Sequence, residues 1–454
     1  MGPVRAVACS GPGVVQLMNS RARFFVVSTS ACLVLLLLAG AHLGKSASTD
    51  EGAYRQFKVF TDVLSRVKSE YVEEPDMKSV TLGALNGLLE SVDPFASYLN
   101  ADQYKQYLKE KDASRGGVGM VLAKRFGYVG VVSALPDSPA AKQGISTGDL
   151  IESIKGIATR DMPLAYAEIL LKGQPGSEVE ISLLRMPDPE PQKVTLTRSV
   201  ILMPVLNVSM LPQQIGYIRP DTLTAGRAVE ILNGVKSLEK QGAKGLILDL
   251  RNCAMGTPEE GIALANLFVG SGLLTYLEGQ QQPRKDFQAD PAKAVVRLPL
   301  VVTTNSGTAD GAEIAASALL ENKRAEVVGA RTFGDAAVRR AITMDDGGAL
   351  ILSVAKFYSL QGKAIQDTGV IPSVPYVESE PTADMEDEAA DQQPRPVTPQ
   401  RPPKPEDDKL LKKAIEVLTK SPSAEASGNW AAQPIDRDVR QGGSDDLTPL
   451  RQTK

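Results

Sequence analysis

The strongest constraint on the fold is an alternation of short, wholly apolar segments with amphipathic segments after residue 203. Two runs, "GLILDLR" (245–251) and "LPLVVTTN" (298–305), have too few polar residues to face solvent on either side. Strands that are buried on both faces are typical of parallel sheets covered by helices. Helical patterns suited to that covering occur at 224–241, 258–268 and 309–322. The pattern therefore predicts an α/β domain.

Three further stretches are expected to supply strands to this domain. They are "QIGYIRP" (214–220), "AEVVGA" (325–330) and "GGALILSVAKFYSLQGKAI" (347–365). The last two are expected to complete the same sheet.

The preceding stretch, 112–202, has shorter strands and more turns. The loop "GGVGM" (116–120) leads into two β-rich runs around a turn at 125–128. The string "SPAAKQGISTGDLIESIKG" (138–156) then combines a short helix, a glycine turn and a strand, and this order resembles a PDZ domain.

The PDZ resemblance implies a peptide site on the glycine loop. Backbone amides there hold the terminal carboxylate of a peptide, which adds a strand to an open edge at 117–121. The residues implied are Gly117, Val118, Gly119 and Met120. A glycine-rich hairpin without a ligand is the alternative.

The region 49–111 is expected to be helical. An apolar stripe at helical spacing is interpreted as helix core and consists of Phe57, Phe60, Leu64, Val67 and Tyr71. A second helix is predicted at 79–91. Asn100, followed by Gln103, is typical of a capped helix start.

The two ends of the chain differ from its body in composition. Arg21 and Arg23 precede an apolar run at 24–43, as in a signal peptide or an uncleaved membrane anchor, and both alternatives stay open. Either one predicts export, with a periplasmic body that is free or anchored to the membrane. The other end is predicted as an acidic, proline-rich linker at 377–407, a short helix at 408–420 and a polar tail at 421–454.

Several chemistries are excluded by residue counts. His42 is the only histidine, so a Ser-His-Asp triad and a histidine-ligated zinc site are excluded. After residue 48 only Cys253 remains, and it is expected to be a buried apolar residue rather than part of a disulfide. A net charge of −4 gives no basic patch for nucleic acid. We expect neither a metal nor another cofactor.

The order of a helical segment, a PDZ domain (112–202) and an α/β domain (203–376) resembles the carboxyl-terminal processing, or tail-specific, serine peptidases. The strings that carry this resemblance are "DPFASYLNADQY" (93–104), "GAKGLILDLRN" (242–252), "ASALLENKRAEVVGARTFG" (316–334) and "GGALILSVAKFYSLQGKAIQDTGVIPSV" (347–374). The resemblance covers 53–376, and the 408–420 helix also fits.

The resemblance also identifies the catalytic positions. The family's serine, lysine and glutamine positions correspond to Asp310, Asp335 and Arg339. Met255 replaces the first glycine of the turn that the family uses for its oxyanion hole. None of the three replacements supplies the original chemistry, and the sequence therefore predicts a pseudopeptidase.

Arg339 is expected to neutralise both aspartates in one cleft. Three alternatives stay open: aspartates turned to solvent, an aspartic-type dyad, and a relocated hydroxyl–lysine pair drawn from Thr308, Ser306, Lys356 and Lys363. The leading functional hypothesis is a silent binding protein for carboxyl-terminal tails or unfolded polypeptide that regulates a partner protease. An active endopeptidase with unorthodox residues and a scaffold with a dead groove are the alternatives.

Overall fold

The computed structural model describes residues 50–111, 116–160, 162–185, 188–376 and 407–420. The chain forms two compact units, which divide between Val80 and Thr81. The predicted segment 1–48, the tail 421–454 and all of the linker except Asp407 lie outside the described residues. Within those residues no helix is both long and apolar enough to span a bilayer, and the apolar run 24–43 is not among them.

The region before residue 112 is mostly helical, as predicted. Its elements are α1 (Asp50–Glu70), α2 (Met77–Val92), β1 (Ser97–Leu99) and α3 (Ala101–Lys111). The predicted cap is confirmed at the start of α3. Asn100 Oδ1 accepts from the Gln103 amide at 3.0 Å, and Gln103 Oε1 accepts from the Asn100 amide at 3.1 Å. This reciprocal pairing fixes the start of the helix at Ala101.

The interpretation of the α1 stripe as helix core is wrong for its aromatic residues. Phe57 is 66% exposed and Tyr71 is 63% exposed, while Leu64 and Val67 are partly buried. The spacing correctly identified one face of a helix, but spacing alone does not tell which surface covers that face.

The middle region forms an antiparallel sheet with two short helices. Its elements are β2 (Met120–Arg125), β3 (Tyr128–Ala134), α4 (Pro139–Lys142), β4 (Leu150–Ile154), β5 (Ile157–Ala158), α5 (Leu164–Leu171), β6 (Glu178–Arg185) and β7 (Asp188–Thr197). The strands run in the order β2-β3-β4-β6-β7, and β5 pairs with β4. Ser138 begins α4 because its Oγ accepts from the Ala141 amide at 3.1 Å.

The prediction of an open edge at 117–121 is partly wrong. Gly117 exchanges both backbone hydrogen bonds with Ser199 in the same domain, at 2.9 and 3.0 Å. The strand begins only at Met120, and β3 is its sole partner strand among the residues that the structure describes. The free edge therefore runs along Met120–Arg125, and α5 lies next to it.

The region after residue 206 contains the predicted parallel sheet. Its elements are β8 (Asn207–Leu211), β9 (Ile215–Arg219), β10 (Thr222–Leu223), α6 (Arg227–Lys240), β11 (Gly245–Asp249), β12 (Met255–Gly256), α7 (Pro258–Asn266), β13 (Leu273–Gly279), β14 (Gln282–Gln288), β15 (Leu300–Thr304), α8 (Gly311–Glu321), β16 (Glu326–Gly329), β17 (Ala337–Thr343), β18 (Ala349–Tyr358), α9 (Ile365–Thr368), β19 (Val374–Pro375) and α10 (Lys409–Lys420). The sheet has the order β19-β16-β15-β11-β9-β8, and only β8 is antiparallel to its neighbour.

The stretch 347–365 does not join that sheet, contrary to expectation. Its strand β18 pairs antiparallel with β1, β13 and β17 in a second sheet, which β14 extends. Apolar content predicted a strand here, but it does not specify the partner of that strand.

Both faces of the parallel sheet are covered. Leu246 and Leu248 of β11 pack in the core that α6, α7 and α8 share. Ile247, between them, points to the other face and packs in a core with Leu411 and Leu418 of α10. This alternation explains why β11 is apolar at consecutive positions.

An ion pair at its first turn anchors α10. Asp408 accepts two bonds from the guanidinium of Arg251, at 3.1 and 2.6 Å, and Asp408 Oδ1 also accepts from the Leu411 amide at 2.8 Å. Arg251 in turn binds Asp249, which is fully buried at the end of β11. The helix is thus joined to the strand that leads into the turn at 252–256.

Candidate active-site turn and peptide groove

Asp310 lies on a sharp turn between β15 and α8. Its backbone has φ +53° and ψ −126°, a conformation that residues other than glycine rarely adopt. A strained strand-to-helix turn of this kind is the geometry that nucleophile elbows use to expose a side chain. The turn therefore has the shape of a catalytic turn, although a carboxylate occupies it.

Close helix packing holds the turn in place. A Cβ on Gly311 would lie 2.3 Å from the carbonyl oxygen of Thr257, and a Cβ on Gly261 would lie 2.0 Å from the carbonyl oxygen of Gly311. Only glycine permits this approach of α7 to the start of α8. The position of Asp310 is thus fixed by backbone contacts that do not involve its own side chain.

Glu313, one turn into α8, ties this turn to the loop that carries Asp335. Its carboxylate is fully buried and accepts from the amides of Gly334 at 2.7 Å, Asp335 at 2.6 Å and Asp310 at 3.2 Å. It also accepts from the hydroxyl of Thr332. One buried side chain therefore sets the relative positions of the predicted nucleophile and base loops.

Arg339 forms an ion pair with Asp335 across four residues, as expected. Its guanidinium carbon also lies 4.0 Å from the centre of the Phe95 ring, and Phe95 meets Phe333 edge to face. No hydrogen bond joins Arg339 to Asp310 in the described part of the chain. The prediction is confirmed for Asp335, whereas Asp310 is coupled to the pair only electrostatically.

Burial dominates the electrostatics of this cluster. It raises the pKa of Asp310 to about 8, with a further increase from the charge of Asp335 and a partial decrease from Arg339. Burial also raises the pKa of Glu313 to about 8, against the opposing effect of its hydrogen-bond donors. The pKa of Asp335 is raised by burial too, although the Arg339 guanidinium opposes this. Burial therefore disfavours the charged form of all three carboxyls, and the Arg339 guanidinium in contact with Asp335 partly offsets this for that residue.

Met255 begins the short strand β12, which pairs in parallel with Thr222 and Leu223. This strand lies against α8, so the predicted oxyanion position is next to the Asp310 turn. The Asp310 amide itself points to Glu313 and not to a ligand position. Met255 is partly buried.

Two members of the relocated hydroxyl–lysine alternative, Thr308 and Lys356, are engaged in other contacts. The hydroxyl of Thr308 is fully buried and donates to the Leu250 carbonyl at 2.8 Å. The ammonium of Lys356 binds the Asp367 carboxylate at 2.7 Å. These contacts hold Thr308 and Lys356 apart from each other's polar groups, so the two residues do not form a hydroxyl–lysine pair.

The PDZ-like sheet packs directly on the loops that flank this turn. Ser133 Oγ donates to the Asn252 carbonyl at 2.7 Å, and Thr147 Oγ1 donates to the Asn252 side chain at 3.2 Å. Ala254 and Ala309, which neighbour Met255 and Asp310, are buried in the same core as the PDZ-like strands. The candidate active-site turn is thus in contact with the PDZ-like module.

The predicted peptide-binding residues lie at the start of β2. Gly119 has φ +76°, and its carbonyl accepts from the Leu135 amide at 2.8 Å. The amides of Val118 and Gly119 find no hydrogen-bond acceptor among the described residues. Two backbone donors at the end of a free strand edge are the arrangement that a peptide carboxylate requires.

The sequence interpretation missed Glu313 and the role of the "DPF" segment. Glu313 stands three residues after Asp310, which is the spacing of a capping box and was a usable signal. Asp93 accepts from the amides of Phe95 and Ser353, both at 3.0 Å, and so joins its segment to β18. A local sequence pattern does not predict a contact between residues as far apart as Asp93 and Ser353.

Comparison with known proteins supports this architecture. Residues 214–376 match the model of Peptidase family S41, and residues 130–185 match a PDZ domain model. The chain is 32% identical to the carboxy-terminal processing protease CtpA of Bacillus subtilis, over 77% of this chain and 76% of that protein. It is also 32% identical to a carboxyl-terminal-processing protease of Synechocystis, over 67% and 73%.

A solved structure agrees with these relatives. The photosystem II D1 C-terminal processing protease superposes with a TM-score of 0.58 and 26% identity, covering 70% of this chain and 92% of that chain. The similarity therefore includes the PDZ-like module as well as the α/β domain.

Proposed function

Since the chain belongs to the carboxyl-terminal processing proteases of peptidase family S41, we propose that it is an exported pseudopeptidase that binds carboxyl-terminal tails. The observation that carries the proposal is the contrast between its two sites. The catalytic turn has carboxylates and an arginine where hydrolysis needs a nucleophile and a base, while the groove loop retains free amides.

The first support comes from the catalytic turn. An Asp310 carboxyl cannot act as the attacking hydroxyl, and Asp335 is engaged by Arg339 instead of supplying an amine. The buried Thr308 hydroxyl and the paired Lys356 ammonium do not replace them. The turn therefore lacks a nucleophilic hydroxyl that could form a covalent adduct with a peptide bond.

The second support comes from the groove. Strand β2 offers Met120–Arg125 as a free edge beside α5, and the Val118 and Gly119 amides lie at one end of it. A tail added antiparallel to β2 would place its carboxylate at those amides. This recognition uses backbone groups, so the substitutions at 310, 335 and 339 leave it intact.

Export and regulation complete the proposal. The apolar run 24–43 after Arg21 and Arg23 supports export, with or without a retained anchor. A silent tail-binding protein would act by withholding tails from an active protease or by presenting tails to it.

A second candidate function is peptidase activity with an altered mechanism. Two observations favour it. The relatives are described as proteases, and the pKa of Asp310 is raised beside Asp335. Two coupled carboxyls that share a proton can activate a water molecule. In that case Asp310 would be essential.

The test uses the full chain with a folded reporter protein that carries an unstructured tail ending in apolar residues. We expect binding that needs the free carboxylate, and no cleavage products by mass spectrometry. Turnover that is lost in Asp310→Asn but kept in Asp345→Asn, an exposed control, would establish the second candidate. The absence of any binding to carboxylate-ending tails would refute tail capture.

A reversal experiment tests the cause of the silence. Asp310→Ser alone should remain inactive, because the base and its orienting group are still missing. The triple variant Asp310→Ser/Asp335→Lys/Arg339→Gln is expected to gain cleavage. If Asp310→Ser alone cleaved the reporter, another base would already be present in the wild-type site.

A further inference from the structure

A small cleft lies at the end of the peptide groove away from the carboxylate-binding amides. Its lining comes from α2, through Asn86 and Glu90, and from the PDZ-like module, through Lys124, Met162 and Leu164. It has room for about one water molecule. The cleft thus joins a helix outside the PDZ-like module to the two elements that flank the groove, β2 and α5.

Asn86 is the unusual residue of this cleft. Its side chain is 8% exposed, and its Nδ2 has no hydrogen-bond partner among the described residues. Its Oδ1 faces the Tyr98 amide at 3.5 Å, which directs Nδ2 to the opposite side. A buried amide donor that lacks an acceptor is costly, so it indicates a missing partner.

Glu90 supplies the complementary group. Its Oε1 accepts from the Gly127 amide at 3.2 Å, which leaves Oε2 to accept from a second donor. The cleft therefore offers one donor and one acceptor around a space that holds about one water molecule, which is also the size of one hydroxyl group. A hydroxyl satisfies both, because it accepts from Asn86 and donates to Glu90. A carboxylate would be repelled by Glu90.

The strand geometry says which part of a tail reaches the cleft. A tail that pairs antiparallel with β2, with its last residue beside Met120, places the residue about four positions earlier beside Lys124. Lys124 donates to the carbonyls of Gly127 at 2.7 Å and of Met162 at 3.2 Å. Its side chain is thus held at this end of the groove, between the β2–β3 turn and the segment before α5.

We propose that Asn86 and Glu90 form a specificity subsite for a serine or threonine side chain, about four residues before the end of the bound tail. This inference rests on the proposed tail-binding function and extends it. The preference for serine or threonine would come from α2, which is not part of the PDZ-like module. The isolated module would therefore lack this preference.

The experiment measures the affinity of the full chain for fluorescein-labelled ten-residue peptides with an apolar carboxyl-terminal residue. Each peptide carries serine or alanine at the third, fourth or fifth position before the end. We expect serine to bind about fivefold more tightly than alanine at one of these positions, as one satisfied buried hydrogen bond implies. Asn86→Leu, of similar size, should abolish the preference and leave the affinity for the alanine peptide unchanged.

Ser91→Ala, an exposed change on the same helix, is the matched control and should keep the preference. If the peptides bind without a serine preference at any of the three positions, the cleft holds water only and the inference is overturned. If no peptide binds, the proposed function fails, and the subsite falls with it. If Asn86→Leu does not fold, the affinities of the wild-type chain for the serine and alanine peptides still test the inference.

Discussion

The Asp310 turn and the 117–120 loop are both glycine-containing turns at candidate sites. They differ in the groups that they present, which are side chains at the Asp310 turn and backbone amides at the 117–120 loop. At the Asp310 turn the groups that could react are side chains, namely the carboxyls of Asp310 and Asp335 and the guanidinium of Arg339. At the 117–120 loop the binding groups are backbone amides, and two of them remain without a partner in the described part of the chain. Side-chain chemistry is lost by single substitutions, whereas backbone chemistry persists as long as the fold does.

The frame around the Asp310 turn survives for the same reason. Glu313 holds the two loops through backbone amides, and Gly311 allows the helices to approach. The comparison therefore predicts that frame residues such as Glu313 matter for stability and that the side chains of Asp310, Asp335 and Arg339 matter much less.

The largest effect is expected from Glu313→Ala. The substitution leaves the amides of Gly334 and Asp335 and the Thr332 hydroxyl buried without their acceptor. We expect a loss of about 4 kcal/mol in the free energy of unfolding, measured by urea denaturation. Asp310→Ala should cost far less, and an equal cost would break the distinction between the frame and the side chain at the turn.

The second prediction concerns pH. Asp310 and Glu313 have a pKa of about 8 in the folded state, whereas an unfolded chain releases these protons at about pH 4. These two groups bind more protons in the folded state between these values, so their contribution to stability is complete below about pH 4 and is lost as pH rises toward 8. Asp310→Asn should reduce this fall by roughly 3.5 kcal/mol between pH 5 and pH 8.

Thermal unfolding at a series of pH values measures the slope. Asp345→Asn, which removes an exposed carboxylate, should leave the slope as in the wild-type chain. Parallel curves for Asp310→Asn and the wild type would mean that Asp310 is ionised in the folded state.

A smaller effect tests the groove loop. In Gly119→Val the new Cβ would lie 2.3 Å from the Ser138 Cβ, at a residue with φ +76°. We expect the displaced loop to lower tail affinity about tenfold, measured by fluorescence anisotropy. Gly156→Val, in the turn between β4 and β5, shares a positive φ but has no atom within 4 Å of its Cβ, and it should bind tails normally.

The smallest effect is expected from the Asp335–Arg339 pair. A double-mutant cycle with Asp335→Asn and Arg339→Leu should give a coupling energy of about 1 kcal/mol, because the arginine is 28% exposed and its charge is partly screened. Urea denaturation of the four chains gives this value. A coupling near zero would show that the contact does not stabilise the site.

The sequence predicted most elements and several of their ends. The capped start at Asn100, the strands β11 and β15 and the helix α8 followed from local chemistry. It did not predict that β18 belongs to a second sheet, because apolar content marks a strand without naming its partner. The partial pairing at Gly117 was missed because Ser199 lies 82 residues further along the chain (199 − 117).

The candidate site was predictable in its positions but not in its energetics. The contact between Arg339 and Asp335 was predicted from the family positions that the two residues occupy and from their opposite charges. The connection from Glu313 to residues 332–335 depends on how two loops meet in space. The pKa of Asp310 depends on burial, which one sequence does not reveal.

The anchoring of α10 has a consequence for how the chain is made. Residues 409–420 cover a face of the parallel sheet whose strands span 207–375, so that face stays bare while the intervening residues are being synthesised. Leu411 and Leu418 reach Ile247 only after the ribosome has released more than 160 further residues (411 − 247 = 164). The apolar face is therefore exposed to chaperones or to neighbouring unfolded chains until residues 409–420 have been made and have docked.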